Sequence, residues 1–368
     1  MGSDVFFMDM RAKGGSGLLT KLEHMLDRAG FRELIEANDL TAVKLHFGER
    51  GNLAYIRPQY IRRIVNKLKE YGAKPFLTDA NTLYAGSRSN AVDHLETAVE
   101  NGFDFAIVGA PLIIADGING KDYVNVPVNL THFKEVKIGS AAVNADAIIA
   151  VTHFKGHEAT GFGGTLKNLG MGLGSRAGKQ MQHSDLLPNV DQEKCIGCSR
   201  CAKYCPALAI EVINKKARIS QEKCIGCGEC TVTCTSRSIA INWKTTADVI
   251  QEKIAEYTAG VLQGKENKAG FITFVTQVSP DCDCCNWNDL PVVGDIGILA
   301  SKDPIAIDQA AVDLVNQARG SAGSRLGEDV ESHDKFRVIH PAVDWSVQLV
   351  YGEKIGLGSR DYNLIKVG

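Results

Sequence analysis

The sequence predicts an α/β fold: a mostly parallel sheet domain with covering helices, interrupted by an inserted cysteine-rich module. Three observations carry that prediction. Apolar β-branched runs alternate with amphipathic stretches from Thr41 onward, the rhythm of strand, helix and parallel strand. Eight of the eleven cysteines then crowd into one segment, from Cys195 to Cys234. Beyond it the alternation resumes, so residues 1–187 and 246–368 are expected to form one discontinuous domain around a module at 188–245.

The elements follow in order. After a short apolar run from Val5, LLTKLEHMLDRAGF has helical periodicity up to Gly30. Thr41–Phe47 reads as a strand, and Pro58 opens a helix that Gly72 closes. Pro75–Thr78 is the next strand, Asn90–Asn101 the next helix and Phe105–Val108 a third strand. The irregular stretch from Pro111 to Gly139 suits a strand pair or a long loop. AIIAVT at 147–152 is wholly apolar, as a strand in mid-sheet must be. Ser175–Pro188 reads as an exit loop into the cysteine segment. Past that segment come a periodic helix at 246–264, strands at Phe271–Val278 and Ile296–Ala300, and a helix from Pro304 to Arg319.

The cysteine segment contains one pattern twice. Cys195, Cys198, Cys201 and Cys205 read C-x2-C-x2-C-x3-C-P, and Cys224, Cys227, Cys230 and Cys234 repeat it 29 residues later. A cubane of iron and sulfide needs four soft thiolates around a compact core, and two-residue gaps let a tight loop aim three sulfurs inward. Zinc ribbons show pairs of CxxC instead, and disulfide frameworks belong to secreted chains. The segment resembles a bacterial-type two-cluster ferredoxin domain, in which the fourth cysteine of each run serves the other cluster. The resemblance implies two [4Fe-4S] clusters, one on Cys195, Cys198, Cys201 and Cys234, the other on Cys224, Cys227, Cys230 and Cys205. Thr235 departs from the pattern, standing where a second proline often follows the last cysteine.

Composition is that of a soluble globular protein, 44% hydrophobic and 23% charged. A net charge of −2 gives no electrostatic argument for nucleic acid or for a membrane surface. No apolar run approaches ~18 residues and the start carries no signal pattern, so a reducing cytoplasm is the expected location.

Polar groups gather where predicted strands end. Lys44 and His46 belong to the first strand, with Glu49 beyond; Asp79, Asn81 and Tyr84 follow the second. His153, Lys155, His157 and Glu158 follow the apolar strand, and Asp281, Cys282, Cys284 and Cys285 follow the strand at 271–278. Ligands of open α/β sheets bind beyond the carboxyl ends of strands, so these four groups point to one crevice. Each taken singly has an ordinary structural reading, such as a capping Asp79 or a hydrogen-bonded loop histidine. Lys44 is harder to dismiss, because a buried ammonium must find a carboxylate or an anionic ligand. The Gly-rich run at 156–174 fits neither a dinucleotide fingerprint nor a P-loop, and serves equally for anion binding or close backbone packing. Asp281-Cys282-Asp283-Cys284-Cys285 leaves several readings open: an additional metal on Cys282, Cys284 and Cys285, a third iron–sulfur site, a reactive thiol, or a plain turn.

Four stretches, KLHFGERGNLAYIRP, TDANTLYAGSR, HFKGHEATGFGGTLKNLGMGLG and GILASKDPIAIDQAA, together resemble the DUF362 family. Its members often carry an embedded two-cluster ferredoxin, so the resemblance implies the insertion architecture and a shared pocket and names no substrate. Two functions compete at this level. One is an iron–sulfur oxidoreductase, with Lys44, His46, His153 and His157 binding a small substrate or moving protons, and a redox partner supplying electrons. The other is a non-catalytic electron carrier or a metal or cluster assembly protein that docks a partner enzyme.

Overall fold

The computed structural model describes residues 2–183, 187–240 and 245–367. Strands β1 (Ser3–Asp9), β2 (Leu40–Lys44), β3 (Lys74–Asp79) and β4 (Leu112–Ile114) come first, then the hairpin of β5 (Tyr123–Pro127) and β6 (Glu135–Gly139). Next are β7 (Ala147–His153) and the small hairpin of β8 (Lys155–His157) and β9 (Gly161–Gly163). The cysteine segment holds β10 (Asn189–Val190), β11 (Ile210–Ile213), β12 (Lys216–Ile219) and β13 (Ile239–Ala240). The chain closes with β14 (Ala269–Val275), β15 (Gly297–Ser301) and β16 (Tyr362–Lys366).

Eight strands form one central sheet in the order β16-β1-β15-β14-β7-β2-β3-β4. Only β15 runs against its neighbours; every other pairing is parallel. Strands from both sides of the cysteine segment therefore lie in one sheet, with β14 hydrogen-bonded beside β7. Each of the seven residues of β7 and of β14 is buried, because helices cover both faces. One apolar cluster on each face fills the space beneath those helices.

Local chemistry explains the main helices. Pro58 occupies the first turn of Pro58–Glu70, where its missing N–H costs nothing. Asn90 caps Ala91–Glu100 by accepting from Asp93 N–H, and Thr246 and Asp303 cap Ala247–Leu262 and Pro304–Gln317 in the same way. Gly72, at φ +104°, turns the chain from helix into β3.

Three expectations are corrected. Phe105–Val108 is a helical turn, not a strand, since the Asp104 side chain caps Ile107 N–H and Gly109 closes the turn at φ +76°. The strand next to β3 is instead β4. The expected loop from Ser175 contains the helix Arg176–His183, while residues 184–186 lie outside the described residues. β2 ends at Lys44, so His46 stands beyond the strand rather than on it. Residues 241–244, the last flank of the expected module, also lie outside the description. Among the described residues no helix is long and apolar enough to cross a membrane.

Candidate functional site

β2, β3, β7 and β14 are mutually parallel, so their carboxyl ends open on one edge of the sheet, and the polar groups that follow them converge there. Lys44 is 1% exposed and its Nζ lies 3.0 Å from Asp79 Oδ1 and 2.8 Å from Asn168 Oδ1. The ammonium has found the carboxylate that its burial demands. Asp79 also faces Arg88 at 3.5 Å and His94 at 3.6 Å. Burial alone would raise the Asp79 pKa, but Lys44 and His94 outweigh it and hold the carboxyl well below its ordinary range. Burial pulls the Lys44 pKa down, with Asp79 opposing. Arg88 is shared with Glu49 at 3.1 Å, whose other carboxylate contacts are Ser87 and Tyr84. His46 accepts Gly48 N–H at Nδ1, and burial followed by Arg88 drives its pKa far below the usual value, so the imidazole is neutral.

His153 ends β7 and bonds through Nδ1 to the Asp283 carboxylate at 2.9 Å and through Nε2 to Thr276 O at 2.9 Å. Lys155 Nζ reaches the same carboxylate at 3.4 Å. Asp283 is fully buried; burial would raise its pKa, but His153 and Lys155 depress it strongly. The Cys282–Cys285 turn is thereby tied to this polar cluster. Asp283 O accepts Glu49 N–H at 3.0 Å, Cys284 O accepts the Tyr84 hydroxyl at 3.2 Å, and Asn52 donates to Cys285 O at 3.3 Å. Cys282, Cys284 and His157 bring their side-chain donor atoms within 4.8 Å of one another, and Lys167 Nζ lies 3.3 Å from Cys282 Sγ. Cys285 is outside that set.

The eight remaining cysteines, none of them in a disulfide, line two hollows. One is lined by Cys195, Cys198, Cys201 and Cys234, the other by Cys224, Cys227, Cys230 and Cys205. Each hollow thus takes three sulfurs from one copy of the repeat and the fourth from the other. Backbone N–H groups of Ala217, Ala209 and Ser238 point at Cys195, Cys205 and Cys234 Sγ, at 3.3, 3.3 and 3.2 Å. The second hollow abuts the sheet domain. Glu229, between Cys227 and Cys230, is buried against Arg176 at 2.8 Å, and Gly228 packs on Leu83, whose Cδ1 would stand 2.7 Å from an added Cβ.

Sequence reading missed Arg88, Asp116, Arg176 and Lys179. All four are buried, and the last three meet at the helix Arg176–His183. Burial raises Asp116 to about 6 and lowers Lys179 to about 8, each charge opposing the other's shift. A signal was available in RAGKQMQH, where two cations stand three apart on one helical face, but nothing local said that this face is buried.

Fold and site together define a mixed α/β protein with a buried cluster of paired charges at one sheet edge and a cysteine-rich segment beside it. A family model described as "Domain of unknown function (DUF362)" matches residues 41–313, about three quarters of the chain, and the chain belongs to that family. No curated protein matches it. Among solved structures, the lactate racemase apoprotein from Thermoanaerobacterium thermosaccharolyticum is similar over 73% of this chain and 50% of that one, at 12% identity and a TM-score of 0.35. A structural-genomics crystal structure of a Thermotoga maritima protein is similar over 84% of this chain and 61% of that one, at 11% identity and a TM-score of 0.40. The chain therefore spans half to three fifths of these two proteins, and the likeness says nothing of its chemistry.

Proposed function

We propose that this chain is an iron–sulfur electron-transfer protein, and an oxidoreductase whose small substrate reacts in the crevice. Residues 188–245 act as a ferredoxin-like module inserted into the domain formed by 1–187 and 246–368, and hold two [4Fe-4S] clusters. The single observation that carries the reading is the crossed lining of the two hollows, each by four cysteines drawn from both copies of the repeat. Four convergent cysteines with N–H···S donors beside them fit a four-iron cluster, whose ligands are thiolates supported by backbone amides. When bound, the clusters supply one-electron transfer.

The chain's own residues supply the rest. The hollow of Cys205, Cys224, Cys227 and Cys230 faces the crevice through Gly228 and Leu83, and the next residue, Tyr84, bonds to Cys284 O. The other hollow is the outer one, where Cys198 is exposed and Ile196 is 65% exposed. Ile196, Tyr204, Leu208 and Ile225 are exposed apolar residues of the cysteine segment, a composition suited to docking a redox partner. That surface equally favours the second reading, a carrier or cluster assembly protein without its own substrate. At the crevice, Lys44 with Asp79 and His153 with Asp283 fix charge, and the neutral His46 is available to move a proton. Metal and sulfide analysis of anaerobically purified protein, with EPR after reduction, tests the cluster reading. About eight irons and eight sulfides per chain support it, and one or two zinc ions in their place overturn it.

A further inference from the structure

We propose that His157, Cys282 and Cys284 form a mononuclear site for a soft divalent metal ion of the zinc type, separate from the eight cysteines at 195–234. The proposal does not depend on the iron–sulfur reading.

The donor atoms already stand as the ligands of one ion do. All three lie within 4.8 Å of one another, and a tetrahedral zinc with ordinary Zn–S and Zn–N bonds needs separations of about 3.5–3.8 Å. Closing that difference takes a small side-chain adjustment. A cubane needs four thiolates around four irons, and among the described residues the set of donors that converge is two sulfurs and an imidazole, with Cys285 beside Cys284 and outside it. Two thiolates neutralise a divalent ion, so the complex is cheap to bury where either charge alone is not. Imidazole with thiolate is the donor set of zinc and its soft neighbours.

The surroundings hold the three groups in place independently of any ligand. His157 reaches the cysteines only because β8 lies against the loop at 279–281: Gly156 N–H donates to Ser279 O at 2.8 Å, and a Cβ on Gly156 would stand 2.0 Å from Pro280 O. Asp283, between the two cysteines, is clamped by His153 and Lys155, and the peptide groups of the turn are held by Glu49 and Tyr84. Lys167 Nζ, 3.3 Å from Cys282 Sγ, supplies the hydrogen bond that supports a ligating thiolate. Ala159 N–H points at His157 Nδ1 from 3.1 Å, and Glu158 lies 3.8 Å from Nε2. Coordination through either ring nitrogen displaces the Ala159 bond, because the other nitrogen must then carry the proton. His157 is then a ligand rather than a proton carrier. Three protein ligands leave a fourth position for water or substrate, the pattern of catalytic rather than structural zinc.

The test uses the full chain, purified anaerobically, incubated with zinc sulfate and desalted. Zinc and iron are counted for the wild type and for a Cys282→Ser/Cys284→Ser double variant. The expected result is about one zinc per chain in the wild type, lost in the variant with iron unchanged, and a zinc-edge absorption spectrum showing two sulfurs at about 2.3 Å and nitrogen at about 2.0–2.1 Å. Equal zinc in wild type and variant overturns the proposal, as does a zinc shell of four sulfurs, which would place the ion on the other cysteines. Should the variant misfold, mass-spectrometric alkylation of the wild type decides instead. Zinc protecting Cys282 and Cys284 at least tenfold supports the site; equal labelling with and without zinc rejects it.

Discussion

Replacing Asp79 by asparagine tests whether the crevice is organised by buried charge. Asp79 stands 3.0 Å from Lys44 and 3.5 Å from Arg88, and all three side chains are at most 3% exposed. At an effective dielectric constant of about 20, each contact is worth roughly 5 kcal/mol of Coulomb energy. Part returns because a neutral amide costs less to bury, and because Lys44 keeps Asn168 and Arg88 keeps Glu49. Leaving a buried partner uncompensated typically costs about 3–5 kcal/mol, which is the loss expected here. The control is Arg50→Ala, which breaks a pair 2.6 Å apart whose side chains are 52% and 54% exposed. Solvent screening leaves that pair worth about 0–1 kcal/mol despite its shorter distance. Urea unfolding followed by far-UV circular dichroism, under anaerobic conditions, measures both. A loss below about 1 kcal/mol for Asp79→Asn, or equal losses for the two variants, would refute the reasoning.

Three further outcomes are expected. Gly156→Ala should displace β8 from the 279–281 loop and raise the alkylation rate of Cys282 severalfold, since the added methyl meets Pro280 O at 2.0 Å; an unchanged rate would mean the packing is not needed. Burial lowers the His183 pKa to about 3, so below pH 6.5 the unfolded chain binds a proton that the folded chain refuses, and stability falls as pH falls toward 3. His183→Gln should therefore remove about 1 kcal/mol of the stability lost between pH 7 and 5.5, and identical pH profiles of the two proteins would contradict this. Deleting 190–244 and bridging the gap with a short Gly-Ser linker should leave a soluble α/β protein with native helix and strand content by circular dichroism; an aggregated product would argue against insertion.

The fold was legible where burial writes itself into local composition. AIIAVT announced a strand covered on both faces, and β7 lies in mid-sheet with every residue buried. Polar residues after strands announced a cluster at one sheet edge, because in a parallel sheet the direction of β2, β7 and β14 fixes the edge at which Lys44, His153 and Cys282 emerge. Phe105–Val108 misled because four apolar residues carry neither a strand nor a helix period, and the deciding group was the Asp104 cap. The helix Arg176–His183 escaped for a different reason. Its buried positions include Arg176, Lys179, Gln180 and Gln182, which reverses the usual rule that the inward face is apolar. Such a reversal is expected where a helix lines a charged crevice rather than a core. Pairings such as Arg176 with Glu229 join residues 53 apart, and no local pattern encodes them.

The most direct test of the two-cluster account is the iron content of paired cysteine variants. If Cys205 serves the cluster of Cys224, Cys227 and Cys230, Cys205→Ser combined with Cys227→Ser damages a single cluster and should retain about four irons per chain. Cys205→Ser combined with Cys198→Ser damages both and should retain almost none. The reverse, with iron lost from the first pair and kept in the second, would contradict the crossed arrangement on which the account rests.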